Sequence, residues 1–320
     1  MALAARLQSR HAMARPREVL PGRFLMVNRR CLERRFFLRP DPITNQIIWY
    51  CIAVAARYTD MEVILPSFLS NHHHTVLYDR HGRHAEFTEY LHRLLARSVN
   101  AHLGRWENLW AAEQVCVVHL VDRAAVMDKL VYAATNPVKD GLVARVADWP
   151  GVNGLAALLD GRTMTIARPE VFFRAVGGLP DAVTLELVIP PELGDATEVR
   201  DELRRRVAEV EAACAAARAE SGRDVLGKRA IRRQHWNERP ASVEPRRGVR
   251  PRVAGSRWAR IEALLRCRAF VDAYRTARER WLAGHQAIFP PGTYWLRRFA
   301  NVTVAQPAQA AQPAAPPALA

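Results

Sequence analysis

Three consecutive histidines, His72, His73 and His74, stand in the run "SNHHHTVLYD" of a 320-residue chain with eleven histidines in all. The residues after them have the β-branched and aromatic character of a strand. Side chains on a strand alternate between faces, so His72 and His74 point one way and His73 the other. Two imidazoles so spaced can ligate one divalent cation and leave coordination positions open for substrate oxygens. A zinc hydrolase of the His-x-His type would need further protein ligands nearby, and neither an HExxH motif nor a neighbouring Asp/Glu cluster supplies them. The alternative is an incidental histidine run in a hairpin, and both readings stand at this point.

A second pair of groups lies in "DKLVYAATNPVKDGLV". Tyr132 and Asn136 are four residues apart and therefore share a helix face. One reading is a tyrosine pointing outward beside a carboxamide able to ligate a cation. The other is an aromatic packing on a sheet, with Asn136 capping the helix before Pro137.

The elements that would position these groups follow from periodicity and turn residues. "GRFLMVN" reads as a strand, and "ITNQIIWYCIAVAARYT" as a helix of about four turns. "MEVILPSFL" and "HHHTVLYD" read as strands joined through Ser70 and Asn71. An amphipathic helix, "HAEFTEYLHRLLARSVNAHLG", ends at Gly104, and "EQVCVVHLV" reads as a fourth strand. A third helix begins at Asp122 as N-cap and ends at Asn136-Pro137. The order β-α-β-β-α-β predicts an α+β fold: a ferredoxin-like (split βαβ) antiparallel sheet with helices on one face. This unit is expected over residues 14–155. A C-terminal extension over 156–303 is expected to be mostly helical and Arg-rich, with "AVTLELVIPPE" as a strand and long helices over 198–221 and 257–284. Residues 1–13 and the Ala/Pro-rich 304–320 read as disordered. There is no internal repeat.

Charge points to the partner. The formal net charge is +15, and all but three of the 47 basic residues are arginine, the better bidentate ligand for phosphate. A GC-rich genome would explain arginine over lysine but not the excess of base over acid. Over 228–260 eleven basic residues face two acidic ones, with Trp236 and Trp258 among them. Five cysteines without a CxxC pair fit a reduced, cytoplasmic protein. The longest apolar run, "IIWYCIAVAA", is 10 residues, about half of a membrane span. "MALAARLQSRHA" lacks the apolar centre of a signal peptide, and Met13 is a candidate start, because patterned sequence begins at "RPREVLPG".

The chain resembles the single-tyrosine transposases with a His-hydrophobic-His motif, the insertion sequence 200-like superfamily, and within it the REP-associated tyrosine transposases. The residues that carry the resemblance are "SNHHH" (70–74), "RWENLWAAEQ" (105–114), "YAATNPVKDGLV" (132–143), "DWP" (148–150) and the opening "RPREVLPGRFLMVNRR". It covers about residues 14–155, with its parts in the family's order and spacing. Two departures stand out. His73 replaces the usual apolar residue between the paired histidines, and could be buried or contact DNA; Ser70 replaces the usual proline.

The resemblance implies a metal-dependent transposase that cleaves and rejoins single-stranded DNA near hairpins. Tyr132 would be the nucleophile, giving a 5′-phosphotyrosine, and His72, His74 and Asn136 would hold Mg²⁺ or Mn²⁺. A bacterial, cytoplasmic and nucleoid-associated protein is implied, with monomer and homodimer both open. Candidate DNA contacts are Arg29, Arg30, Arg34 and Arg35 in the basic loop 29–39, Lys139 past the catalytic helix, and Arg232, Arg233, Arg246 and Arg247 in the arginine-rich stretch. Trp236 and Trp258 could stack on unpaired bases. Competing readings are a replication initiator or relaxase of the same chemistry and a domesticated hairpin binder that no longer cuts. A small-substrate metal hydrolase would leave the charge unexplained.

Overall fold

In the computed structural model, which describes residues 16–174, 177–242 and 252–306, local signals set most element boundaries. Strand β1 spans Arg23–Arg30 and helix α1 spans Pro42–Thr59. Asp41 caps α1, its carboxylate accepting from the Thr44 N–H at 2.8 Å, and Pro42 takes the first turn, where a missing N–H costs nothing. Strands β2 (Glu62–Phe68) and β3 (His72–Asp79) form the hairpin, followed by α2 (His84–His102), β4 (Cys116–Leu120) and α3 (Arg123–Lys139). Asp122 caps α3 through the Ala125 N–H at 2.8 Å, as its position predicts. The helix runs past the expected stop at Pro137 to Lys139. Pro137 has no N–H to continue the helical ladder, and the chain leaves the helix through Gly141, whose φ of +66° only glycine adopts freely.

These strands build a five-stranded mixed sheet of order β2-β3-β1-β4-β7. The first four are antiparallel to their neighbours, while β7 (Arg252–Ala254) joins β4 in parallel. Strand β7 is too short and too rich in arginine context to announce itself by alternation. Helices cover both faces, not one. His73 reaches α2 and His74 reaches α3, so those two helices lie on opposite sides of β3. Every residue from His73 to Asp79 is buried, the pattern of a strand packed on both faces. Helices α1 and α2 pack together.

The remainder holds α4 (Leu155–Asp160), a separate two-stranded sheet of β5 (Met164–Ala167) and β6 (Ala182–Leu185), α5 (Ala196–Ser221), α6 (Lys228–Arg233), α7 (Arg257–Leu282) and α8 (Trp295–Ala300). The chain does not divide near 155. Its compact units are Pro21–Ala263 and the described parts of Met1–Leu20 with Leu264–Ala320. Residues after 151 are bound to the sheet: the Phe68 N–H donates to the Val152 carbonyl and the Gly154 N–H to the Pro66 carbonyl, both at 2.8 Å. A Cβ on Gly154 would sit 2.6 Å from Pro66, so this edge contact needs glycine. Helix α5 then packs on α3, burying Val199, Leu203 and Val207 at helical spacing. In the second unit Phe289, Val302 and Ala277 form a small core, and Ala305 donates to the Phe289 carbonyl at 2.9 Å. Val304 and Ala305 thus pair with the Phe289 segment, where a tail was expected from 304; the expectations for 1–13 and 307–320 lie outside the described residues.

Asp79 ties the end of β3 to the start of α2. Its carboxylate accepts from the Arg83 N–H at 2.7 Å, the His84 N–H at 3.0 Å and the His84 Nδ1 at 2.6 Å. Burial works to raise this carboxyl, but the His84 bond and charge and the two backbone bonds outweigh it and hold it below the carboxylate range. A lowered folded pKa stabilises above the unfolded value of about 3.9 and is lost as pH falls through the folded one. Asp79→Asn should therefore cost about 1–3 kcal/mol in urea denaturation at neutral pH. The gap from wild type should close in acid below about pH 4.

Candidate active site

Asn28 on β1 pairs with His74 on β3, and Arg30 pairs with His72. This register brings the even-numbered histidines to the floor of a cleft of about 1300 Å³. Tyr132 of helix α3 and Asp140 just past its end supply one wall, and the segment 234–242 supplies another with Gln234 and Ser242. Arg30, Arg34 and Arg252 lie on its lining.

Neighbouring amides set each histidine. His74 donates from Nδ1 to Asn28 Oδ1, and Asn28 is itself oriented by donating from Nδ2 to Cys116 Sγ at 3.6 Å. That leaves His74 Nε2 as the lone-pair nitrogen, and it accepts from Asn136 Nδ2 at 3.1 Å. His72 Nδ1 donates to Asn71 Oδ1 at 2.7 Å, so its Nε2 is likewise the free base. The two rings are 4.8 Å apart and nearly perpendicular. Burial, with Arg34 and Arg30 nearby, holds His72 down to about 4. Burial, with His72, His73 and Lys129, holds His74 well below its ordinary value. Both imidazoles are neutral, the form that ligates metals.

Tyr132 closes the set. Its ring lies 5.1 Å from that of His74, with Lys129 Nζ 5.3 Å and Lys139 Nζ 5.7 Å from its centroid. Burial raises the phenol and the Asp140 charge raises it further, against a lowering hydrogen bond with Asn136. Asn136 does not cap the helix, which runs on to Lys139, whereas Tyr132 is partly buried and packs against the core, as an aromatic on the sheet would.

The donors fit a cation. Asn136 Oδ1 is buried without a hydrogen-bond partner, beside the His74 Nε2 lone pair. Among the described residues no group of three His, Cys, Asp or Glu converges, so the set is two imidazole nitrogens and one amide oxygen. Such a set is uncharged. A divalent ion on it would need anionic substrate oxygens to complete its shell and balance its charge, and mixed N/O donors suit Mn²⁺ or Mg²⁺.

His73 is neither a cleft residue nor a DNA contact. Fully buried, it stacks on Phe68 with centroids 4.6 Å apart and shares a hydrogen bond of 2.9 Å between its Nε2 and that of His92. Its Nδ1 meets Thr75 Oγ1 at 3.0 Å, and His92 Nδ1 has no partner. An orphaned acceptor costs less than an orphaned donor, which makes His92 Nε2–H the donor and His73 Nε2 the acceptor. Burial pushes both below their ordinary values, His73 to about 3.

The candidate DNA-contacting arginines divide. Arg29, Arg30 and Arg34 line the cleft, with Arg30 at 3.8 Å from Glu113 and Arg29 over the Trp110 ring at 5.4 Å. Arg34 donates to Ser242, Arg35 to Glu33 and Asn237, and Arg39 to the Gln234 carbonyl at 3.0 Å. The basic loop thus binds the chain's own segment 234–242. Lys139 is exposed above Tyr132, and Arg232 and Arg233 are exposed on α6. Arg246 and Arg247 lie outside the described residues. Trp236 is partly buried and packs near Phe37 at 6.0 Å, with Arg105 at 5.4 Å. Trp258 is exposed. Among the described residues of the arginine-rich stretch, Ile231 is fully buried and β7 sits in the sheet, while Lys228, Arg229, Arg232, Arg233 and Arg239 are exposed, as on a solvated face. Asn28, Asn71 and Asp140 escaped the sequence reading because only strand register and helix docking place them. Lys129 had a signal, standing three residues before Tyr132 on the same helix face.

No protein-family model matches the chain, and no curated protein matches it. Among solved structures it is similar to a REP-associated tyrosine transposase bound to a REP hairpin, with 17% identity and a TM-score of 0.38 over 44% of this chain and 82% of that one. At that identity and score it stands beside the geometry as a resemblance alone.

Replacing Arg34, Arg35 and Arg39 together by alanine should loosen the segment 234–242. Its amide hydrogen exchange should rise by about 10–100-fold, because these side chains make five hydrogen bonds to Gln234, Asn237 and Ser242, while β1 and β3 keep their protection.

Proposed function

We propose that the chain is a metal-assisted single-strand DNA endonuclease and strand transferase of the transposase type, with Tyr132 as nucleophile. The observation that carries this reading is the convergence of four groups. His72 and His74 from β3 and Tyr132 from α3 line one arginine-lined cleft, and Asn136 of α3 is buried beside them on His74 Nε2, while His73 is turned away. Consecutive β1, α1, β2, β3, α2 and β4 in the sheet order β2-β3-β1-β4 support a ferredoxin-like split βαβ as the scaffold.

In this reading the cleft takes a single strand, and Arg30, Arg34 and Arg252 offset its phosphate charge. The Tyr132 oxygen attacks phosphorus in line, the P–O3′ bond breaks, and the 3′-oxygen leaves as a hydroxyl. The resulting 5′-phosphotyrosyl ester keeps the bond energy, so a different 3′-OH can reverse the step and rejoin. His72, His74 and Asn136 would hold a divalent ion, which polarises the scissile phosphate when bound. Asn28 and Asn71 fix the tautomers that present both Nε2 atoms. The phenol must lose its proton despite burial and Asp140, and Lys129 and Lys139 beside the ring favour the phenolate.

The raised phenol also favours a second reading, a hairpin-binding protein that no longer cuts. One experiment separates the two. Purified chain is incubated with labelled hairpin-bearing single strands and Mn²⁺ or Mg²⁺, then run on a denaturing protein gel. A labelled band at protein mass should require metal, disappear in Tyr132→Phe and persist in neither His72→Ala nor His74→Ala, with strand binding and folding retained in all three. Cleavage by Tyr132→Phe would discard the nucleophile assignment, and binding without any band would favour the second reading. Mn²⁺ titration by electron paramagnetic resonance with strand present should show Asn28→Ala weaker by about 10–100-fold, the usual effect of freeing a ligand histidine.

A further inference from the structure

The second unit carries a feature that the cleft does not use. Helix α8 lies in "PPGTYWLRRFANVTVA", where 290–305 holds two arginines and no acidic residue. Leu296 turns inward against the Phe289 and Val302 core, and the Val302 N–H reaches back to the Leu296 carbonyl. The larger rings are left outside: Trp295 is 62% and Phe299 57% exposed, four residues apart on one face, with centroids 4.2 Å apart. Arg298 sits over Phe299 at 5.2 Å and over Tyr294 at 5.8 Å, and Arg297 is exposed beside them. Burying two such rings would stabilise a fold by about 1.5–3 kcal/mol each, yet leucine makes the inward contact. Residues 264–306 hold seven arginines and two acidic residues, Asp272 and Glu279, and Arg266 meets Glu18 at 3.7 Å.

We propose that Trp295 and Phe299, flanked by Arg297 and Arg298, form a stacking platform for unpaired bases of a single-stranded nucleic acid, separate from the residues of the cleft. Aromatic faces accept any base, and guanidinium groups in the same short segment meet the phosphates between them. A purely apolar protein-docking face would not carry two arginines among its rings in a segment with no acidic residue of its own. The platform deepens the proposed function, on whose single-stranded substrate it rests, by assigning a second contact for the strand.

The test uses the full chain and a labelled, unstructured oligothymidylate, followed by fluorescence anisotropy at fixed salt. Trp295→Ala and Phe299→Ala should each weaken binding about 10-fold, as loss of one stacked base does, and Trp295→Phe should restore most of it. The aromatic variants should keep the wild-type salt dependence, whereas Arg297→Ala or Arg298→Ala should lower its slope by about 0.7. Thermal melting should be unchanged, because both rings lie outside the Phe289 core; if an alanine variant melts early, Trp295→Phe and the arginine variants decide. Unchanged affinity overturns the platform. So does unchanged affinity with a shift in sedimentation from a larger species to monomer, which would assign the rings to self-association. The Tyr132 adduct is assayed in the same variants: an adduct with wild-type oligothymidylate affinity defeats the platform alone. Weakened affinity in a protein that never forms an adduct defeats the nuclease reading alone.

Discussion

Behind β3, in an apolar pocket closed by Phe68 and Trp110, two neutral histidines share one hydrogen bond. His73 cannot leave that pocket without breaking its bonds to His92 and Thr75. It also cannot charge there without losing the acceptor nitrogen on which the pair depends. Because strand side chains alternate, pinning His73 inward holds His72 and His74 outward on the opposite face. A slip of one residue would bury both cleft imidazoles and expose the middle one. The orientation of the candidate ligands is therefore a consequence of packing on the far side of the sheet. Trp110 reinforces it, donating from Nε1 to the His92 carbonyl at 2.9 Å.

Electrostatics in the cleft follow from what surrounds these rings. Neutral imidazoles and an amide offer a cation lone pairs but no charge, while the lining arginines repel it. Cation and phosphate would then favour each other's binding, each supplying what the other lacks. The same arginines attract an anion, yet one of them, Arg34, is engaged by Ser242, beside Arg35 and Arg39 on the carbonyls of Asn237 and Gln234. That segment is held by the basic loop through Phe36, whose N–H donates to the Glu238 carbonyl at 3.0 Å, and through Arg34, Arg35 and Arg39. A stretch that looks like a polyanion-binding tail is thus partly a structural wall.

The sheet also explains why the chain does not break after its first six elements. An open edge at β2 and another at β4 would be templates for foreign strands. Residues 152–154 cover the first edge, with Gly154 admitting the close contact, and β7 pairs with the second. Helix α5 covers α3, the helix that carries Tyr132, through Val199, Leu203 and Val207, and Arg206 meets Asp128 at 2.5 Å. The later part of the first unit is in this sense a support for the site.

Local rules read correctly wherever the deciding physics is local. Asp41 and Asp122 announce helix starts because a carboxylate satisfies free N–H groups within its own turn. The strand from His72 to Asp79 and the shared face of Tyr132 and Asn136 follow from backbone periodicity alone. The sequence could also say that His73 differs from its neighbours, but not whether it would meet protein or DNA. Pairings between distant segments carry no such mark. Asn28 opposite His74, the engagement of Arg34 and Arg35 by 242 and 237, the packing of Trp236 near Phe37 and the parallel addition of β7 all depend on which surfaces meet once the chain is folded. A stretch dense in arginine reads the same whether its guanidinium groups bind phosphate or the chain's own carbonyls. Residue types and spacing set the chemistry these side chains are capable of, and packing decides which of them are left free to use it.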